Sequence, residues 1–151
     1  MRIAVGSDEK THLTSVVITE LQKRGHKVML YGPLLPDNHD LWPDVGRAVG
    51  EAVATGVADE GVLFCWTGTG VSIAANKVPG VRAALCTDAE TARGARVWNH
   101  ANVLVMSLRL TSEEVAKEML EAWFSTPYGD DPVDQACVAK IASLDEMYRQ
   151  I

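Results

Sequence analysis

Basic residues are scarce in this chain, which has 14 Lys and Arg against 20 Asp and Glu and a formal net charge of -6. Nucleic-acid binding needs a clustered excess of positive charge, so we expect neither a nucleic-acid-binding protein nor one that binds an acidic membrane surface. Nowhere do about 18 consecutive apolar residues occur, as a membrane span requires. The start of the chain has no long apolar export segment, and we therefore expect a cytoplasmic protein.

Cysteine is also rare, and Cys65, Cys86 and Cys137 are too far apart in sequence to form a metal-type cluster. An odd number of cysteines in a reducing compartment predicts free thiols rather than a disulfide framework. We expect Cys86 and Cys137 to be packing residues. Cys65 stands next to a glycine loop and needs separate consideration.

The apolar residues are distributed as in an α/β protein. At 151 residues the chain has the size of one domain, which we assign to residues 1–151. Runs rich in Val, Ile and Leu predict five strands, at 3–5, 28–30, 62–64, 81–85 and 103–105. Segments with helical spacing lie between them, at 13–21, 45–53 and 89–97. This alternation predicts a doubly wound, Rossmann-like parallel sheet of five strands with helices on both faces.

The loops after the strands are the expected ligand site, because doubly wound sheets bind ligands at the carboxyl ends of their strands. Polar residues follow three strands, at 6–9, 65–70 and 87–88. The irregular segment 32–42 either borders the site or is an ordinary connection. A last helix is predicted at about 133–150, after an irregular segment rich in Pro, Gly and Asp. We expect this helix to pack on a partner subunit.

The loop after the third strand carries the chemistry. Gly68 and Gly70 leave backbone N–H groups open toward a ligand, and a helix that begins near Val71 adds partial positive charge, so the loop can hold an oxyanion. Neither a dinucleotide fingerprint nor a Walker A motif is present. The same helix terminus favours a thiolate at Cys65, although spacing alone fits an inert buried thiol equally well. Thr67 either supplies a hydroxyl to the reaction or caps the turn.

The segment from Cys65 to Lys77, CWTGTGVSIAANK, resembles a motif of the type B ribose-5-phosphate isomerases and the galactose-6-phosphate isomerase subunits, which typically reads CGTGxGxSIAANK. The resemblance covers nearly the whole chain. Further matches are Ile3-Ala4-x-Gly6-x-Asp8, Gly80-Val81-Arg82-Ala83, Asn99-x-x-Asn102-Val103-Leu104 and Arg109.

This resemblance implies an aldose–ketose isomerase, an intramolecular oxidoreductase of carbohydrate metabolism. It implies a dimer whose sites draw residues from both subunits, with no metal and no organic cofactor. Cys65 would remove the proton next to the carbonyl to give a cis-enediol, and Thr67 would help to move a hydroxyl proton. The N–H groups from Gly68 to Gly70 would stabilise the enediolate oxygen. The full substrate-binding set that we expect is Asp8, Glu9, Trp42, Gly68, Thr69, Gly70, Ser72, Trp98, Asn99 and Arg109.

Three departures from the family pattern concern phosphate binding and ring opening. Glu9 replaces the usual His after Asp8, and Trp98 stands where the ring-opening His is usual. His100 lies one place beyond Asn99, which on a helix turns the side chain by about 100°, so we do not transfer the role to it. Near the C-terminus the family offers two arginines to the sugar phosphate, whereas this chain has no Arg between Arg109 and Arg149. We therefore expect an unphosphorylated or otherwise atypical sugar.

Two alternatives remain open from the sequence. A paralogous companion subunit would supply the missing groups and restore a ribose-5-phosphate type of substrate. Alternatively, the protein binds a sugar without turning it over, although the presence of both Cys65 and Thr67 weighs against this. We expect a homodimer or a tetramer in either case.

Overall fold

The computed structural model describes residues 1–149 and confirms the predicted fold. A single five-stranded sheet has the order β2-β1-β3-β5-β4, and every neighbouring pair is parallel. Its strands are β1 (Arg2–Ser7), β2 (Lys27–Tyr31), β3 (Glu60–Cys65), β4 (Ala83–Leu85) and β5 (Val103–Ser107). The helices are α1 (His12–Lys23), α2 (Trp42–Ala54), α3 (Thr69–Ala75), α4 (Ala89–Asn99), α5 (Glu113–Ser125) and α6 (Pro132–Arg149).

Strands β3 and β5 form the centre of the sheet and are buried along their whole length. Successive side chains of a strand point to opposite faces, so β3 contributes to two separate cores. Val62 and Phe64 enter the larger core, which also contains Trp123 of α5. Leu63 and Cys65 enter the second core with residues of α2 and α3. The pleat of β3 therefore places Cys65 on the face that α2 and α3 cover.

Helices α2 and α3 pack unusually closely beside Cys65, and glycine makes this approach possible. A Cβ built on Gly46 would lie 2.7 Å from the Cβ of Ala74 and 2.9 Å from the carbonyl oxygen of Val71, so a larger residue would separate the helices. Trp42 lies one turn before Gly46 on the same face of α2. The contact between the helices thus brings Trp42 to the N-terminus of α3.

The structure differs from the sequence predictions mainly at the ends of elements. The segment predicted to be irregular, 32–42, contains a 3₁₀ turn at Gly32–Leu34 and ends where Trp42 opens α2. Helix α3 begins at Thr69, two residues before the predicted start. The last helix begins at Pro132, and its predicted end at residue 150 lies outside the described residues.

Helix α6 has no buried residue among those described, and its expected packing on a partner subunit stays a prediction. The prediction that Cys137 is a packing residue is wrong, because it lies exposed on this helix, whereas Cys86 is buried as predicted. The exposed apolar side chains on α6 include Ile141, Leu144 and Tyr148. Within residues 1–149, no helix combines the length and the apolar character that crossing a membrane requires.

Candidate active site

The parallel register of β1 and β3 brings Asp8 next to Cys65. Ser7, the last residue of β1, lies opposite Phe64 of β3, so the following residues leave the sheet side by side. The Ser7 hydroxyl donates to the carbonyl oxygen of Glu9 at 2.6 Å and accepts from its N–H at 3.2 Å. This small turn fixes the backbone on both sides of Asp8.

Strand β5 fixes the other side of the Cys65 loop. Cys65 lies opposite Ser107, and its carbonyl oxygen accepts from the N–H groups of Leu108 at 3.0 Å and of Gly68 at 3.2 Å. The carbonyl oxygen of Trp66 accepts from the Ser107 hydroxyl and from the N–H of Arg109, both at 2.9 Å. The loop backbone is therefore held rigidly by its own turn and by the end of β5.

Gly68 caps helix α3 in the left-handed conformation, with φ of +78°. The sequence predicted that the N–H of Gly68 faces a ligand. Instead, this N–H donates to the carbonyl oxygen of Cys65 within the turn. The first intrahelical donor is Ser72, which reaches the carbonyl oxygen of Gly68, and no side chain of residues 1–149 caps the helix. The N–H groups of Thr69, Gly70 and Val71 are thus the donors that remain open at this terminus.

A cavity of about 310 Å³ opens at this loop. It is lined by Asp8, Trp42, Cys65, Trp66, Thr67, Thr69 and Gly70. Cys65 is only 5% exposed, so a thiolate there would be largely shielded from bulk water. The hydroxyl oxygens of Thr67 and Thr69 lie 2.8 Å apart and share a hydrogen bond. Six of the predicted site residues converge on one cavity, as expected from the strand order.

Partial burial raises the pKa of Asp8 above its ordinary value of 3.8, and the neighbouring Glu9 carboxylate adds to this rise. A backbone hydrogen bond within the residue opposes the rise but does not cancel it. Asp8 therefore retains a proton at a higher pH than an ordinary surface carboxyl. A carboxyl group with such a shifted pKa in a cleft is typical of a functional site.

Sequence reasoning missed Trp66 as a residue of the site. Its ring lines the cavity beside Cys65 and is 59% exposed. The signal that pointed to it is a large aromatic residue between Cys65 and Thr67, where the family motif has glycine. Trp42, predicted as a wall of the site, lines the same cavity, and its ring lies directly against Gly70.

Six predicted substrate-binding residues do not line this cavity. Of these, Gly68 lies buried beneath the loop and Ser72 is half-buried on α3. Glu9 is exposed beside Asp8. Trp98 and Asn99, at the end of α4, line a second cavity of about 620 Å³ between α4 and α6. The exposed Arg109 joins the loop through its backbone alone.

His100 is occupied away from the Cys65 cavity. Its ring stacks on Tyr128 with centroids 4.6 Å apart, and its Nε2 lies 3.0 Å from the carbonyl oxygen of Gly129. With φ of +48°, His100 also ends α4 as its C-cap. These contacts hold the segment that leads into α6 and keep the His100 ring away from the Cys65 cavity.

The start of α6 is acidic. One carboxylate oxygen of Asp131 accepts from the N–H of Val133 at 2.8 Å and from that of Asp134 at 3.4 Å. The N-terminus of a helix is a favourable place for an anion, and here a side chain of the protein occupies it. Asp130 is exposed next to it. This segment therefore repels a second anion.

Comparisons with known proteins agree with this geometry. Residues 3–141 match the model of the family described as Ribose/Galactose Isomerase. The D-erythrulose-4-phosphate isomerase of Pectobacterium atrosepticum is 35% identical over 85% of both chains. The galactose-6-phosphate isomerase subunit LacB of Clostridium acetobutylicum is also 35% identical, over 97% of this chain and 84% of that one. The solved structure of ribose-5-phosphate isomerase B from Clostridium thermocellum superimposes with a TM-score of 0.90 at 37% identity, covering 98% of this chain and 99% of that chain.

The chain belongs to the ribose/galactose isomerase family, as the resemblance of its glycine loop predicted. The predicted enzyme class, an aldose–ketose isomerase, is confirmed with it, and the protein belongs to sugar metabolism. All three of these relatives are named for phosphorylated sugars, which makes the absence of a phosphate-binding arginine pair in this chain the main question about its substrate.

Proposed function

We propose that the protein interconverts an aldose and a ketose of an unphosphorylated sugar through a cis-enediol, with Cys65 as the base. One observation carries this proposal. The cavity that joins Cys65, Thr67 and Asp8 has a carboxylate and hydroxyl groups in its lining, but within residues 1–149 no Lys, Arg or His lines it. A phosphate dianion would find no charge-assisted donor there, whereas a neutral polyol would find several hydrogen-bonding partners.

The proposed reaction begins when the Cys65 thiolate removes the proton from C2 of the aldose. The electrons of the C–H bond form the C1–C2 double bond, and the carbonyl oxygen becomes an enediolate oxygen. In this scheme the open N–H groups of Thr69 and Gly70 stabilise that charge. Thr67 then relays a proton from the hydroxyl on C2 to the oxygen on C1. Finally Cys65 returns its proton to C1, which yields the ketose.

Asp8 has a separate role in this scheme. Its carboxylate lies beside Cys65 at the end of the neighbouring strand and accepts a hydrogen bond from a substrate hydroxyl. A hydroxyl held in this way fixes the sugar chain so that C2 faces the thiolate. Positioning of this kind contributes to catalysis by making the reaction effectively unimolecular.

The start of α6 supports a neutral substrate independently of the cavity. In the family pattern this part of the chain offers arginines, whereas here Asp131 occupies the helix terminus and Asp130 and Asp134 flank it. Glu9, beside Asp8, adds a further carboxylate. Like charges of this kind lower the affinity for a phosphate ester when the assembly brings the segment close to the substrate.

The test uses purified wild-type protein in heavy water with free tetroses, pentoses and hexoses beside their phosphate esters. NMR measures deuterium uptake at the carbon next to the carbonyl, which reports enolisation directly. We expect uptake with at least one free sugar and a lower kcat/KM for its phosphate ester. Uptake with phosphate esters alone would contradict the proposed substrate class while leaving the isomerase class intact.

A second candidate is a sugar-phosphate isomerase completed by another subunit. Trp98, Asn99 and Arg109 lie outside the Cys65 cavity of their own chain, so their predicted roles require a second chain. The 35% identity to a galactose-6-phosphate isomerase subunit favours a paralogous companion in particular. Native mass spectrometry of the protein purified from its source separates the cases. A mixed assembly that is active on phosphate esters would favour this second candidate, and a homodimer or homotetramer that is active on free sugars would exclude it.

A further inference from the structure

Trp66 is a large aromatic residue that the fold does not need. Its side chain is 59% exposed and belongs to neither of the two hydrophobic cores. A side chain of this size contributes to stability mainly by burying its ring, so an exposed tryptophan gains little of that energy. Since it also lines the Cys65 cavity, its contribution is more reasonably made to binding than to folding.

The backbone beneath Trp66 is rigid. Its carbonyl oxygen accepts two hydrogen bonds, from the Ser107 hydroxyl and from the N–H of Arg109, both at 2.9 Å. Ser107 is the last residue of β5, which is paired with β3 up to Cys65, and Arg109 follows two residues later. The Trp66 ring therefore projects from a fixed backbone and lines the same cavity as Cys65, as a binding residue requires.

A second tryptophan lines the same cavity. Trp42 is 43% exposed, and its ring lies against the backbone of Gly70. The same lining offers the Thr67 and Thr69 hydroxyls and the Asp8 carboxylate. Flat apolar surfaces combined with hydrogen-bonding groups match a sugar, which has apolar C–H faces and a polar rim of hydroxyls. A phosphate group has no apolar face that would contact such a ring.

We propose that Trp66 is a specificity-determining residue that, together with Trp42, stacks on the C–H face of a neutral polyhydroxy chain held over Cys65. The inference rests on the proposed function and deepens it, because it names what replaces phosphate as the source of binding energy. The family motif has glycine at this position, so the ring also fills space that a glycine would leave open. Trp66 thereby favours a compact neutral chain over a longer charged ester.

Binding is tested without turnover, in protein that carries Cys65→Ala. Isothermal titration calorimetry measures the Kd for a free ketopentose and for its phosphate ester in this background, with Trp66 intact, as Trp66→Gly and as Trp66→Phe. We expect Trp66→Gly to weaken binding of the free sugar by roughly tenfold, and Trp66→Phe to retain most of the affinity because it keeps a flat ring. The phosphate ester should lose less affinity in the glycine variant, or gain some.

The active enzyme gives a second readout. With Cys65 present, Trp66→Gly should raise KM for the free sugar and change kcat little, since the ring acts on binding rather than on proton transfer. Gel filtration of each variant checks assembly. An unchanged Kd for the free sugar in Trp66→Gly, a loss that Trp66→Phe does not rescue, or a change confined to the oligomeric state would overturn the inference.

Failure of this inference differs from failure of the proposed function. If wild-type protein enolises only phosphate esters, the proposed substrate class is wrong, and that result is obtained with Trp66 intact. If it enolises free sugars but the glycine variant binds them equally well, only the role of Trp66 is wrong. A free ketopentose that does not bind to the Cys65→Ala protein at all would contradict the stacking role as well.

Discussion

Trp42 lies so close to Gly70 that a Cβ built on the glycine would stand 2.9 Å from Cδ2 and Cε3 of the indole ring. The two residues belong to different helices, and the close packing of α2 on α3 brings them together. Gly70 carries one of the open N–H groups of α3, and Trp42 forms a wall of the cavity. Their contact thus links the shape of the substrate site to its expected oxyanion donors.

Gly70→Ala should displace the Trp42 ring and raise KM with little loss of stability, because the half-exposed ring has room to move outward. Steady-state kinetics and thermal melting measure the two effects. A double-mutant cycle supplies the control: in a Trp42→Ala background the added methyl group meets no ring, so Gly70→Ala should be nearly neutral. Additive effects in the cycle would show that the contact does not matter for binding.

Gly68→Ala should destabilise the fold by more than a positive φ alone explains. An L residue in the left-handed conformation costs roughly 1–2 kcal/mol. At Gly68 a Cβ would also lie 2.5 Å from Cδ1 of Leu85 and 3.2 Å from the backbone of Met106, which cannot yield easily. Chemical denaturation measures the free energy of unfolding.

Gly25→Ala is the matched control for that experiment. Gly25 has nearly the same φ, +83°, but nothing lies within 4 Å of its built Cβ. The difference between the two variants isolates the steric contribution beneath the Cys65 loop. Equal destabilisation would mean that Leu85 and Met106 adjust without cost.

Glu60→Gln should strongly destabilise the protein. Glu60 is buried, lies 2.9 Å from the guanidinium of Arg96 and accepts from the indole N–H of Trp123. Burial raises the pKa of Glu60, while Arg96 and Trp123 oppose that rise. Removing one partner of a buried ion pair costs about 3–5 kcal/mol, because the other charge is left uncompensated. Urea denaturation measures the loss.

The exposed pair of Arg47 and Glu51 on α2, 3.3 Å apart, provides the comparison. Glu51→Gln should change the free energy of unfolding by less than about 1 kcal/mol, as is usual for surface pairs. Similar effects at both sites would contradict the structural role assigned to the buried pair.

Catalysis should depend on the charged form of the Asp8 carboxylate, so activity should fall at a higher pH than an ordinary aspartate would give. Because burial raises the pKa of Asp8 above 3.8, its charged form is fully present above that raised pKa and is lost as the pH falls through it. The acid limb of kcat/KM should therefore lie above the ordinary range of an aspartate. Asp8→Asn should lower kcat/KM and remove this limb from a pH profile. An acid limb that is unchanged in the variant would assign it to another group.

The position of Cys65 and Asp8 was predictable because both follow buried strands, and parallel strands place their carboxyl ends at the same edge. The close contact of α2 with α3 was not predictable, because a glycine such as Gly46 within a helix does not indicate which other helix packs against it. Trp66 was missed because a tryptophan at a strand end has the same sequence signal whether it packs in the core or lines a cavity.

The sites of Trp98 and Asn99 could not be predicted from the sequence for a different reason. Their roles came from the family pattern, and the fold places them at the end of α4, away from the Cys65 cavity of the same chain. Local sequence patterns report which residues share an element, but contacts between subunits depend on surfaces that no local pattern specifies. Whether these two residues bind the substrate therefore stays a prediction about the assembly.

The role of Cys65 as the base is tested most directly by deuterium exchange with Cys65→Ala. Cys137→Ala, which removes an exposed thiol on α6, is the matched control. In heavy water with a free sugar that the wild type enolises, Cys65→Ala should lose exchange at the carbon next to the carbonyl, while its melting temperature stays close to that of the wild type. Cys137→Ala should exchange at the wild-type rate. Undiminished exchange in folded Cys65→Ala would contradict the assignment of Cys65 as the base.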